Sequence, residues 1–222
     1  MEVVGNFDLF ADAFPESLLP WLFNVILQEW PKFPRTSRQP LENRITKPFV
    51  GHLQSCADTR RLPFVFDFGV KLLSADKDTE LGELDIRVMH GQRPKVFFAF
   101  ECKCLNVTRN GRRHSQAGKY VGVDGMGCFL SGRYWGGSDN GGMIGYVMDN
   151  DLDYAITAVN NALNRNAKQL GLQKPEQLNP TSMCSEETRC SETRHHLNRR
   201  LITIYHILLE FNGHRLGQDQ RN

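Results

Sequence analysis

Apolar positions recur along this chain with two different periods, and the switch between them outlines the elements. Residues 17–30 (Ser-Leu-Leu-Pro-Trp-Leu-Phe-Asn-Val-Ile-Leu-Gln-Glu-Trp) predict an apolar helix, opened or kinked at Pro20 and ended by Pro31 and Pro34. A second helix is predicted over 40–56: Pro40 suits a first turn, and Ile45, Phe49 and Leu53 recur every four residues on one face. Leu62–Leu73 is rich in Phe and Val and predicts a strand. Two more strands, Leu81–Met89 and Lys95–Leu105, are joined around the turn signal Gly91-Gln-Arg-Pro94. Residues 106–118 are polar, basic and glycine-containing, and read as a mobile loop. Lys119–Tyr134 reads as a glycine-interrupted helix, Gly136–Gly142 as a loop and Met143–Met148 as a short strand. Asp149 or Asp151 can cap a helix reaching about Leu170, with Leu152, Ile156, Val159, Leu163 and Leu170 as its apolar stripe. A loop over 172–186, a weak strand near 187–196 and a long strand over Leu201–Phe211 complete the pattern. The order helix, helix, three strands, helix, strand, helix, strands is that of a mixed α/β domain, with no repeat and no linker.

Composition narrows this only a little. The 222 residues suit one domain spanning 1–222, with 40% hydrophobic and 23% charged residues as in ordinary globular proteins. A net charge of +2 does not by itself argue for nucleic acid. Basic residues do cluster locally, at Arg109, Arg112, Arg113, His114 and Lys119 and again at Arg194, His195, His196, Arg199 and Arg200; each cluster is either a solvated face or a phosphate contact. No apolar run reaches the roughly 18 residues of a membrane span. The start of the chain, acidic at Glu2 and Asp8, does not read as a secretory signal. The six cysteines lack framework spacing, so the expected compartment is a reducing cytoplasm, with Cys102 and Cys104 serving as small apolar residues.

The chemistry lies in the two central strands. Gly82-Glu-Leu-Asp85 opens one, and Lys95-Val-Phe-Phe-Ala-Phe-Glu-Cys-Lys-Cys104 sets Glu101 and Lys103 at the end of an otherwise uncharged run in the next. Charges in such runs are costly to bury unless they are paired or bind a metal. Residues two apart share a strand face, so Glu101 and Lys103 point the same way. Whether Asp85 joins them depends on hairpin register. A four-residue loop at 91–94 puts Asp85 and Glu101 on opposite faces, and a five-residue loop or a bulge puts them on the same one. If they converge, two carboxylates and the Cys102 carbonyl between them offer hard oxygen ligands suited to Mg²⁺. Such an ion polarises a phosphodiester and acidifies water. A neighbouring lysine can orient or deprotonate that water, or stabilise charge in the transition state.

Asp85, fifteen intervening residues and then Glu101-Cys102-Lys103 closely resemble the PD-(D/E)xK motif of the restriction-endonuclease-like nuclease superfamily. Gly82-Glu-Leu-Asp85 resembles the Gly-x-x-Asp form of its first acid; Leu84 stands where the motif name has proline. Leu41-Glu-Asn-Arg-Ile-Thr46 resembles a first core helix that contributes a further acid, at Glu42 here. The resemblance implies a central mixed sheet flanked by helices over about 40–165, with an N-terminal helix and C-terminal strands (about 187–212) as additions. It also implies a Mg²⁺-dependent endodeoxyribonuclease, in which Mn²⁺ can substitute, with Asp85, Glu101 and Lys103 catalytic and Asp85, Glu101, the Cys102 carbonyl and Glu42 as metal ligands. Arg109, Arg112, Arg113, Lys119, Arg199 and Arg200 would meet DNA. Restriction or phage defence, as a homodimer or inside a larger assembly and away from membranes, fits this pattern. The rival expectation is a nucleic-acid-binding or scaffold protein that keeps the fold without cutting.

Other candidates are weaker. Asp67, mid-strand, is an edge residue or an accessory acid, and Glu83 a strand-end surface acid. Gln116, Lys119 and Tyr120 are candidates to face the site from the following helix. Cys184 and Cys190 with His195 and His196 lack zinc-ligand spacing, and Gly136–Gly142 lacks the Lys-Ser/Thr of a P-loop. Arg133, Tyr134 and Trp135 are candidates either for stacking on bases or for a core or hinge role.

Overall fold

The computed structural model describes residues 14–34, 41–73, 79–91, 96–134, 139–184, 189–197 and 199–211. Trp135, the tip of the turn at 92–94 and residues 136–138 of the glycine loop lie outside these. The first apolar run forms α1 (Leu19–Glu29) with Pro20 in its first turn, between single 3-10 turns at Glu16–Leu18 and Trp30–Lys32. The second forms α2 (Glu42–Arg60), which carries Pro48 within it and buries Ile45, Phe49 and Leu53 as their spacing predicts. Arg61, in the left-handed conformation, ends α2.

Among the described residues nine strands follow α1 and α2, with three further helices between them: β1 (Phe64–Leu73), β2 (Glu80–His90), β3 (Phe97–Leu105), β4 (Val107–Arg109), β5 (Arg112–His114), β6 (Asn140–Val147), β7 (Asn179–Pro180), β8 (Cys190–Leu197) and β9 (Arg200–Glu210). Seven form one mixed sheet in the order β1-β2-β3-β6-β9-β8-β7. The β3–β6 and β6–β9 pairs are parallel and the others antiparallel. All nine residues of β3 are buried, as expected of a central strand covered on both faces.

Alternate side chains feed two cores. On one face α1 and α2 pack against Phe98, Phe100, Cys102, Cys104, Tyr146 and Ile207. On the other, Leu105, Met143, Val147, Ile204 and Leu208 meet α3 (Ala117–Val121), α4 (Gly127–Leu130) and α5 (Leu152–Leu170). Asp151 caps α5, its carboxylate accepting from Tyr154 N at 3.1 Å. Of the expected stripe, Val159, Leu163 and Leu170 are buried, and Leu152 and Ile156 pack at the edge of the core.

Three expectations need correction. The stretch read as a loop over 106–118 contains the β4–β5 hairpin, whose Arg113 is bound to Asp149 and Asp151 at 2.8 and 2.9 Å and stacks on Tyr154. The single glycine-interrupted helix is two short helices, α3 and α4. The cysteines lack framework spacing and suggested a reducing compartment, yet Cys184 and Cys190 form a disulfide. No helix among the described residues is long and apolar enough to cross a membrane.

Candidate active site

Register decides whether the two acids meet. β2 and β3 pair Ile86 with Phe100, Arg87 with Ala99, Val88 with Phe98 and Met89 with Phe97. Extending that register by one residue sets Asp85 opposite Glu101, and opposite residues of an antiparallel pair share a face. The connection over 90–96 thus has the parity that brings the acids together.

At this level the sheet opens. Beyond Phe100, β3 is paired only with β6, and its other edge presents main-chain groups to side chains instead of to a strand. Asp85 Oδ2 accepts from Cys102 N at 2.7 Å, and Glu42 Oε1, at the start of α2, accepts from Cys104 N at 3.2 Å. Two carboxylates therefore cap an edge that would otherwise leave buried donors unpaired. On the far side of β2, Gly69 sits in β1 with φ of +65°, at the position facing Asp85 between the pairs Phe68–Ile86 and Val70–Leu84. Only glycine adopts that conformation cheaply.

Lys103 ties the group together. Its Nζ lies 2.5 Å from Glu101 Oε1, donates to the Cys102 carbonyl at 3.1 Å and approaches Glu42 Oε2 at 4.0 Å. Lys103 is 9% and Glu101 5% exposed. Three carboxylates thus surround one ammonium, an excess of negative charge in a partly dry site. Burial first, and then the Asp85 carboxylate, push the Glu101 pKa up to about 8. Burial also raises that of Asp85, against the Cys102 N–H bond and the Lys103 charge. For Lys103, burial works downward, but the Glu101 carboxylate, with Asp85 and Glu42 behind it, holds the ammonium above its ordinary range. Glu101 Oε2 is buried without a hydrogen-bond partner.

Tyr134 closes one side. Its hydroxyl donates to the Glu83 carbonyl at 2.6 Å and lies close enough to Glu101 to lower that carboxyl's pKa slightly against the effect of burial. Of the roles open to Tyr134 in the sequence, base stacking or a core or hinge position, the structure favours the core: the ring is buried in the cluster under α4, beside the carboxylates. Its signal lay in Gly82: a Cβ there would stand 3.3 Å from Tyr134 Cε1 and 3.0 Å from Arg133 Cδ.

The remaining candidates separate cleanly. Asp67 is held by Arg87 at 2.6 Å. Tyr120 is buried and bonded to His206, so it does not face the carboxylates; Lys119 is exposed. Arg109, Arg112 and Arg199 are exposed, whereas Arg200 is bound to Asp139 at 2.5 Å and Arg113 is committed as above. His195 and His206 belong to a buried chain with Thr193, and Cys184 and Cys190 are joined to each other. Among the described residues no three His, Cys, Asp or Glu side chains converge as a preformed metal cluster. The oxygen donors gathered at the open edge are Asp85, Glu101 and the Cys102 carbonyl, with Glu42 beside them. The chain matches no protein-family model, no curated protein and no solved structure.

Proposed function

We propose that the chain is a Mg²⁺-dependent nuclease that hydrolyses phosphodiester bonds in DNA, built on a restriction-endonuclease-like core. The observation that carries this reading is the β2–β3 register, which sets Asp85 opposite Glu101 on the edge where Lys103 and Glu42 also converge. The donor set fits the ion: Mg²⁺ is commonly held by one or two carboxylates plus water and substrate phosphate, so a three-acid cluster is not required. The unpartnered Glu101 Oε2 and the excess of carboxylate over ammonium favour a divalent cation. Asp85, Glu101 and the Cys102 carbonyl would hold it, with Glu42 adjacent; Mn²⁺ suits the same oxygens.

When bound, the ion supplies Lewis acidity toward the phosphodiester and lowers the pKa of water. Lys103 does the rest of the charge work. Its raised pKa keeps it cationic while Glu101 is its partner, which favours orienting water and stabilising charge on the phosphorane-like transition state over abstracting a proton. Glu42 and Asp85 bind the N–H groups of the β3 edge in place of a strand, so the Cys102 carbonyl on that edge is left to a side-chain cation, Lys103 here. The basic hairpin contributes phosphate contacts through Arg109 and Arg112, with Lys119 and Arg199 as further cations. A homodimer or larger assembly, a defence role and a cytoplasmic setting belong to the same proposal; the Cys184–Cys190 disulfide is the feature that weighs against the cytoplasm.

One observation favours a second reading, a nucleic-acid-binding protein that does not cut: Lys103 engages the very oxygens of Glu101 and Cys102 that a metal would use. Cleavage of plasmid and linear DNA separates the two. Cutting is expected with Mg²⁺, none with EDTA, and a loss of at least about 100-fold in Lys103→Ala, the scale of a deleted electrostatic group. Folded wild-type protein that neither cuts DNA nor shifts its melting temperature with Mg²⁺ sinks the nuclease reading.

A further inference from the structure

We propose that Arg133 is a phosphate-binding residue of this site, placed to hold the DNA backbone beside the scissile bond. The inference rests on the nuclease reading and adds a residue that motif spacing does not reveal.

Arg133 is carried to the site by its neighbour. Tyr134 is fastened to β2 by its hydrogen bond to the Glu83 carbonyl, and the Arg133 stem crosses Gly82, where a Cβ would stand 3.0 Å from its Cδ. Gly82 is three residues from Asp85, about 10 Å along a strand. The guanidinium then extends past α4, its Nη1 3.6 Å from Cys128 Sγ. Cys128 in turn lies within electrostatic range of Glu101 and Lys103. Burial raises the Cys128 pKa, so the sulfur beside Arg133 is a neutral thiol and offers no counter-charge.

That lack sets Arg133 apart. Four arginines among the described residues are half-buried: Arg87, Arg133, Arg189 and Arg200. Three carry a carboxylate, through Asp67 at 2.6 Å, Glu210 at 2.8 Å and Asp139 at 2.5 Å. No carboxylate of the described residues pairs with Arg133. A half-buried guanidinium whose one side-chain partner is a neutral thiol lacks a counter-charge, which is costly, and a ligand anion removes that cost. The site also favours such a group: the acids gathered around the single Lys103 ammonium, Glu42 and Asp85 with Glu101 once it ionises, repel a polyanion, so a cation at their margin helps to bring phosphate near. The planar fork of arginine matches two phosphate oxygens at once. The bland alternative is that Arg133 only packs its stem on Gly82 and sends its head to water.

The test uses full-length Lys103→Ala protein, so that DNA is bound and not cut, and a fluorescent duplex oligonucleotide. Anisotropy across a salt series gives affinity and its salt slope. Adding Arg133→Gln, which keeps a stem over Gly82 but removes the charge, should weaken binding about tenfold and reduce the slope by about one. Arg133→Lys should keep the slope and lose part of the affinity. Unchanged affinity and slope in Arg133→Gln, with an unchanged circular dichroism spectrum, overturn the assignment and leave the packing role. Absence of duplex binding by the Lys103→Ala protein at low salt, together with absence of cleavage by wild type, is a different failure: it removes the nuclease reading and this inference with it.

Discussion

With its pKa pushed up to about 8, Glu101 holds a proton near neutral pH that any cation ligand must displace. The sign follows directly: a metal binds the carboxylate, so affinity rises with pH up to about 8 and binding near pH 7 releases up to one proton per ion. Titration calorimetry with Mg²⁺ in two buffers of different ionisation enthalpy is expected to give different observed heats. Equal heats in both would mean that Glu101 is already ionised or does not bind the ion. The basic residues divide at the same scale. Arg113 is spent on Asp149, Asp151 and Tyr154, while Arg112 is exposed. Arg113→Ala should cost about 1 kcal/mol of stability through those half-exposed ion pairs, with little change in the salt slope of DNA binding. Arg112→Ala should show the reverse, and denaturant unfolding beside anisotropy separates them. Sequence placed all of these arginines in one basic group; only the packing of the β4–β5 hairpin on α5 tells them apart.

Elements differ in how much of themselves they show in sequence. α2 and α5 are legible because Ile45-Phe49-Leu53 and Val159-Leu163-Leu170 repeat at helical spacing, and β3 because its run is apolar and short. The β2–β3 register was not, since a one-residue change in the turn flips Asp85 across the sheet while leaving both strands intact. The β4–β5 hairpin was hidden because its exposed polar residues carry no alternation. Nor did any local signal announce the buried chain that joins α3, α5, β8 and β9. Tyr120 bonds His206 Nδ1 at 3.0 Å, and His206 Nε2 meets Thr193 Oγ1 at 2.9 Å. Thr193 Oγ1 in turn meets His195 Nε2 at 2.7 Å, and His195 Nδ1 meets the Leu170 carbonyl at 3.0 Å. One proton arrangement satisfies every link with neutral rings. His195 Nδ1–H donates to the carbonyl, Thr193 donates to His195, His206 Nε2–H donates to Thr193, and Tyr120 donates to His206. Burial accordingly lowers His195 to about 4 and His206 to about 3. The unfolded rings take up protons near the ordinary histidine value of 6.5 while the folded ones do not, so stability is full above that pH and falls as pH drops toward 4. His206→Leu leaves the Tyr120 and Thr193 hydroxyls short of a partner and should cost about 1–3 kcal/mol at pH 8. The gap from wild type should narrow at pH 5, because the variant has lost one acid-sensitive group. Melting temperatures that differ by the same amount at both pH values would exclude the neutral-chain account.

For the whole molecule, the parallel β3–β6–β9 centre has helices on both faces, and the acids lie where β2 leaves β3, so the described residues present one such carboxylate cluster per chain. The sheet's composition and the helix order made this α/β architecture readable, whereas the meeting of Glu42, Asp85, Glu101 and Tyr134, drawn from four separate segments, is a product of the fold. One site per chain has a kinetic consequence under the nuclease reading. A lone molecule cuts one strand per encounter, and a duplex break in one event needs two copies facing opposite strands. If the active species is a homodimer, supercoiled plasmid compared at equal consumption should pass to nicked circles at low protein concentration and increasingly to linear DNA as concentration rises, with the linear-to-nicked ratio tracking the dimer fraction measured by light scattering. A ratio independent of concentration would exclude reversible dimerisation as the route to double-strand cutting. It would point instead to independent nicks by monomers, since two unlinked cuts on opposite strands accumulate with time and not with the order of assembly.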